Sequence, residues 1–148
     1  MAWDDLKKGR ISIENQIYFI TFNTYSRLDI FCDYEIAKTF CQQIKINEQV
    51  TNAAWLTWVL MPDHFHGLLQ ISDVSLNQTI SDLKGRSASL LNKQLNIKGQ
   101  FWQKQYFDHA VRKEENLKDI ARYIVANPLR KGLVDKVQDY PFWDSKYL

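Results

Sequence analysis

Cysteine, proline, glycine and histidine are all scarce in this 148-residue chain, which holds 2, 3, 5 and 3 of them respectively. Two cysteines do not make a disulfide scaffold, and Cys32 and Cys41 lack the C-x-x-C spacing of a cysteine zinc site. Both read as ordinary buried thiols. No apolar run is long enough to span a bilayer, so an integral membrane helix is excluded. Met1 to Arg10 mixes Asp4, Asp5, Lys7 and Lys8 with no apolar h-region, so no secretory signal is expected and the chain reads as cytoplasmic. There is no repeat, no low-complexity run or linker, and no P-loop pattern that would hold a nucleoside triphosphate. With 45% hydrophobic residues, 1–148 is expected to form one domain with a packed core.

Net charge is also small, +2, until the chain is divided. Residues 1–74 carry 6 Lys/Arg against 9 Asp/Glu, whereas residues 75–148 carry 13 against 8. The basic excess includes Lys84, Arg86, Lys104, Arg112, Arg122, Arg130 and Lys131, with Lys93, Lys98 and Lys113 beside them. Such a set can follow a phosphate backbone, and the competing reading is a solvated face, since lysine and arginine are mostly exposed in any protein. Aromatic content reaches 14%, and Trp102, Tyr106 and Phe107 interleave with Lys104 and Arg112. Most of these rings belong in a core, leaving one or two to stack on unpaired bases.

Two of the three histidines stand one residue apart, in Leu60-Met61-Pro62-Asp63-His64-Phe65-His66-Gly67-Leu68-Leu69. The Pro-Asp pair marks a turn and the apolar run after it reads as a strand. Alternation along a strand puts both imidazoles on one side and Phe65 on the other. Two neutral imidazoles projecting together form half of a divalent metal site. The alternative is one satisfied core histidine and one facing solvent.

Further on, Tyr123 and Asn127 are four residues apart in a stretch with helical periodicity, so they share a face. Leu117, Ile120, Ala121 and Ile124 supply its apolar stripe, Glu114 and Glu115 suit its positive N-terminal end, and Pro128 ends it near Asn127. The other elements expected are strands at Gln16 to Tyr25, Ala54 to Leu60, Phe65 to Ile71 and Phe101 to Val111, and helices at Asp33 to Asn47 and Leu76 to Leu95. Asp33 and Ser75 or Asn77 are the natural N-caps, and Gly85 is either a hinge or a tolerated interruption. Lys136 to Leu148 reads as a tail whose Pro141, Phe142 and Trp143 pack back. The order β-α-β-β-α-β-α with a short central hairpin points to an α+β, ferredoxin-like antiparallel sheet with helices packed on one face and the other partly open.

Met-Pro-Asp-His-Phe-His-Gly-Leu-Leu, then Phe101 to Arg112, then Tyr-Ile-Val-Ala-Asn-Pro-Leu-Arg-Lys-Gly-Leu-Val resemble, in that order and over about residues 15–140, the single-tyrosine HUH transposases. Their REP-associated branch is the nearest. The resemblance implies an HUH motif on a central strand, a nucleophile on a C-terminal helix, His64 and His66 as metal ligands with Asn127 as a third through its side-chain oxygen, and Tyr123 as the nucleophile. His109 is not implied as a ligand. It also implies cleavage and rejoining of single-stranded or hairpin DNA through a covalent 5′-phosphotyrosine. Two imidazoles, an amide oxygen and open positions suit Mn²⁺, or Mg²⁺ through the phosphates, and zinc stays open. The chain departs from the family pattern at Asp63, where asparagine or glutamate is frequent, and in its short C-terminal segment. A monomer and a homodimer that exchanges the tyrosine helix are both compatible with the sequence. Two other readings are a non-cutting single-stranded DNA or RNA hairpin binder and a metal phosphodiesterase that uses water in place of Tyr123.

Overall fold

A computed structural model describes residues 13–112 and 115–148. The readings made above on Met1 to Arg10, Lys113 and Glu114 lie outside the described residues. Five strands, β1 (Ile17–Asn23), β2 (Ala54–Met61), β3 (His64–Gln70), β4 (Phe107–Ala110) and β5 (Trp143–Ser145), form one antiparallel sheet in the order β4-β1-β3-β2-β5. Two long helices, α1 (Tyr34–Thr51) and α2 (Leu76–Leu95), follow β1 and β3, and a shorter α3 (Leu117–Val125) leads into a single turn, α4 (Asn127–Arg130).

Local chemistry sets these boundaries. The Asp33 carboxylate accepts from the backbone N–H groups of Glu35 and Ile36, the Ser75 hydroxyl from that of Gln78, and the Asn116 amide oxygen from those of Lys118 and Asp119. Each satisfies N–H groups that the first turn of a helix leaves unpaired. Asn52 and Asn96 end the long helices in left-handed geometry, a conformation asparagine tolerates. Helix α2 runs unbroken through Gly85, so that glycine is a tolerated interruption rather than a hinge.

One face of the sheet is almost entirely aromatic and aliphatic. Phe22, Phe65 and Leu69 pack there against Phe40 and Ile44 of α1 and Ile80, Leu83 and Leu91 of α2. The Phe65 ring lies 5.0 Å from Trp55, 5.1 Å from Phe22 and 5.2 Å from Phe40, centroid to centroid. Its full burial stabilises the fold by roughly 1.5–3 kcal/mol. A register shift between Trp55 and Thr57 changes the phase of β2, so Trp55 and Leu60 reach this core while Leu56, Val59 and Met61 turn to the opposite face.

The α+β antiparallel architecture is as expected, and three details differ. Helices are not confined to one face: α3 covers part of the other, with Ile124 against Leu56, Val59, Met61 and Leu68. The strand expected over Phe101 to Val111 is ordered as a strand only at Phe107–Ala110, because Phe101 and Trp102 both plunge into the α1/α2 core, which two successive residues of a regular strand cannot do. Trp102 stacks on Phe31 at 5.6 Å and donates its indole N–H to the Ser87 hydroxyl. Cys32 is exposed, contrary to the reading of both thiols as buried, whereas burial pushes the Cys41 thiol up to about 12. In the tail Phe142 and Trp143 pack back as expected while Pro141 stays exposed, and β5 adds beside β2.

Candidate active site

The β2–β3 hairpin turns at Pro62 and Asp63, and Met61 pairs with His64 across it. His64 and His66 are therefore neighbours on the sheet face opposite Phe65, their ring centroids 4.5 Å apart. Gly67 follows for a steric reason: a Cβ there would lie 2.7 Å from Cε3 of the Trp55 indole, which lies against that glycine. The histidine pair sits on the middle strand, with Asn23 and Thr21 of β1 opposite His64 and His66.

Both imidazoles are held through Nδ1. That of His64 lies 2.6 Å from Asp63 Oδ1, and because a carboxylate only accepts, Nδ1 carries the proton and Nε2 keeps its lone pair. That of His66 lies 2.7 Å from the Thr21 hydroxyl. Asp63 is itself gripped by Arg27, at 2.9 Å from Nε and 2.8 Å from Nη2. Burial pushes the Asp63 carboxyl up, but its bonds to His64 and Arg27 outweigh that and hold it below the usual range. Burial lowers His64 despite the adjacent carboxylate, and it lowers His66 to about 3, with His64, Arg130 and Arg27 contributing. Both rings are thus neutral near pH 7, the form that can bind a metal.

Helix α3 supplies the opposite wall. Its apolar stripe buries Ala121 and Ile124, which leaves Tyr123 at the rim, 59% exposed. The helix ends at Val125, earlier than the expected stop, and Pro128 sits in the first turn of α4. Asn127 is only 5% exposed, yet no described partner engages its side-chain amide. Arg130 reaches back to Tyr123, donating from Nη1 to its carbonyl at 2.7 Å and placing its guanidinium 3.9 Å from the ring centroid.

His64, His66, Tyr123 and Asn127 consequently line one cleft of about 480 Å³, all from a single chain. Arg130 and Lys131 line it too, whereas the other basic residues singled out from the sequence do not. Lys84 donates to the carbonyls of Gln103 and Lys104 at 2.7 and 3.3 Å, and burial lowers it to about 8. Arg86 pairs with Asp82, and Arg122 with Asp119 at 3.5 Å. Arg112 lines a separate hollow with Glu115, and Lys104 stands outside both. Thr21, Asn23 and Arg27 complete the cleft and were not anticipated. Thr21 and Asn23 had a visible signal, polar residues at period two in an otherwise apolar strand. Arg27 had none, because positive φ angles at Ser26 and Arg27 bring it to Asp63.

Among the described residues no group of three His, Cys, Asp or Glu side chains could hold a metal. The Asn127 amide stands on the same cleft as His64 and His66, beside the polar side chains of Thr21 and Asn23. Two neutral imidazoles, with the Nε2 lone pair of His64 available, and a buried amide with no described partner that opens on the same cleft fit a divalent cation with open positions.

A five-stranded antiparallel sheet thus presents paired histidines opposite a helical tyrosine, and comparison with known proteins identifies the family. Residues 12–127 match the family model described as "Transposase IS200 like", and the chain belongs to that family. It is 24% identical over 137 residues to a REP-associated tyrosine transposase of Escherichia coli, a match spanning 90% of this chain and 78% of that one. A Haemophilus influenzae relative, provisionally designated a REP-associated tyrosine transposase, is 29% identical over 94 residues, which cover 56% of this chain and about half (53%) of the relative. The solved structure of a REP-associated tyrosine transposase bound to a REP hairpin superposes with a TM-score of 0.72 at 22% identity, covering 90% of this chain and 79% of that one.

Proposed function

We propose that this cleft cuts and rejoins single-stranded DNA with Tyr123 as the nucleophile, making the chain a transposase that acts on hairpin-bearing DNA. The observation that carries the reading is the convergence of Tyr123, His64, His66 and Asn127 on one cleft whose remaining charged walls, Arg27, Arg130 and Lys131, are cationic. That composition suits a phosphodiester better than a neutral substrate. The related chain that was solved with a REP hairpin supports a DNA hairpin as the partner.

In the proposed step the Tyr123 phenolic oxygen attacks the scissile phosphorus. The Oη–P bond forms as the P–O3′ bond breaks; the phenolic proton leaves to solvent and the released 3′-oxygen takes one up. The products are a free 3′-hydroxyl and a 5′-phosphotyrosine, and attack by another 3′-hydroxyl reverses the step without a nucleoside triphosphate. A phenol is a weak nucleophile at neutral pH, so the phosphate must be activated. A divalent ion, Mg²⁺ or Mn²⁺, held by His64, His66 and Asn127 would polarise a non-bridging oxygen and stabilise the leaving group. Arg130 holds the phenol ring from its side, and Arg27 fixes Asp63 and through it the tautomer of His64.

His64→Ala and His66→Ala are expected to abolish metal-dependent cleavage of a hairpin oligonucleotide while retaining most of its binding, which comes chiefly from basic side chains. Wild-type cutting rates in either variant would overturn the metal assignment.

A further inference from the structure

A second hollow, of about 300 Å³, opens on the other side of Tyr123 against the same sheet face. Its floor is Phe19 and its far wall Ile120, with His109, Glu115 and Asp119 around it, and Tyr123 stands between it and the histidine cleft. The register fixes the relation of the two. Phe107, Thr21 and His66 form one row across β4, β1 and β3, and His109 with Phe19 forms the next, two residues along. Phe107 is 60% exposed, and its ring meets Phe19 edge-on at 6.4 Å. Phe19 in turn lies 5.8 Å from the His66 ring. An apolar hollow flanked by an exposed phenyl ring thus continues directly from the cleft.

We propose that this hollow binds an unpaired nucleobase, that of the nucleotide immediately 3′ of the scissile phosphate. The inference rests on the transesterification reading above and adds a substrate contact to it. In-line displacement places the leaving 3′-oxygen opposite the attacking phenol, so the nucleoside 5′ of the break is directed away from Tyr123. The nucleoside joined through the 5′-oxygen, the one retained on the tyrosine, is the one that lies beside it. The charges select a base over the backbone: Glu115 and Asp119 repel a phosphate but accept from an exocyclic amine. His109 Nε2 and the Arg112 N–H both engage Glu115 Oε1, and among the described residues its second carboxylate oxygen has no partner and can receive such a donor. Adenine, cytosine and guanine carry that amine and thymine does not, so thymine is the disfavoured base at this position.

The test scans 2-aminopurine, whose fluorescence is quenched by stacking, along a single-stranded hairpin oligonucleotide bound to the full chain in chelator, with Phe107→Ser and Phe19→Ala as comparisons. Phe107 is exposed, so its variant tests stacking without disturbing the core; Phe19→Ala is read only if its unfolding midpoint stays near wild type. The expected result is strong quenching at one position, lost in Phe107→Ser, with binding weakened roughly 10- to 100-fold by an abasic site there. The same abasic site should matter little in the variant. Mapping the covalent adduct with metal then locates the break, which should fall directly 5′ of the quenched base. Quenching at no position, or quenching equal in wild type and Phe107→Ser, overturns the hollow as a base site. An adduct whose break is not adjacent to the quenched base overturns the assignment of the nucleotide while leaving the transesterification intact. A Phe107-dependent quench without any adduct supports the hollow as a base site and counts against the cutting reaction instead.

Discussion

Acidification should destabilise this protein through His66. The ring lies on the middle strand, on the face shared with α3, and burial, with His64, Arg130 and Arg27 nearby, pushes it down from 6.5 to about 3. In the unfolded chain the same imidazole takes up its proton near its ordinary value. Between pH 6.5 and about 3 the unfolded state therefore binds one more proton than the folded state, so stability falls as pH falls through that window. Integrated from pH 7 to pH 5, one such group lowers stability by about 2 kcal/mol. The figure depends on the unfolded value alone, because the native ring is neutral at both ends of the interval. His64, also lowered by burial, adds in the same direction, and Asp63, held below 3.8, is ionised throughout. Urea unfolding in chelator at the two pH values, wild type beside His66→Gln, isolates the contribution. Wild type should lose about 2 kcal/mol more than the variant over the interval. Parallel losses, within about 0.5 kcal/mol, would refute the reasoning.

Gly67→Ala should destabilise by roughly 1–3 kcal/mol, seen as a lower urea midpoint, because its Cβ would push the Trp55 indole off the strand. Gly85→Ala should stabilise by up to about 1 kcal/mol in the same assay, since the site is helical and nothing lies within 4 Å of the added methyl. In single-stranded DNA binding measured against salt, Lys131→Gln should reduce the slope of log K against log salt by about 0.7, one phosphate contact, because its ammonium lines the cleft with no side-chain partner among the described residues. Lys84→Gln should leave that slope unchanged, because the ammonium is already spent on backbone carbonyls.

What could be read from the chain was what local chemistry encodes. Asp33 caps the helix it was expected to cap, Ser75 rather than Asn77 caps the second, and α2 has the expected ends, Leu76 and Leu95. The H-x-H alternation put both imidazoles on one face because a strand's period is two, whatever it pairs with. What escaped depended on partners distant in sequence. Phe101 and Trp102 looked like strand residues until Phe31 and Ser87 supplied their pockets. The short β5 has no pattern of its own and exists because β2 offers an edge. Placement of α3 opposite the long helices follows from a second apolar face that only the bulge in β2 completes. Arg27 sat in the acidic half of the chain, and a left-handed turn rather than charge patterning carries it to the site.

The most direct test of the central claim is a denaturing gel of the protein incubated with labelled single-stranded hairpin oligonucleotides and Mg²⁺ or Mn²⁺, wild type beside Tyr123→Phe. The account predicts a labelled protein band that survives denaturation, carries the DNA on the 3′ side of the break, and disappears in the variant although the hairpin still binds. Cleavage that persists in Tyr123→Phe, or that proceeds in wild type with no protein-linked product, would contradict it.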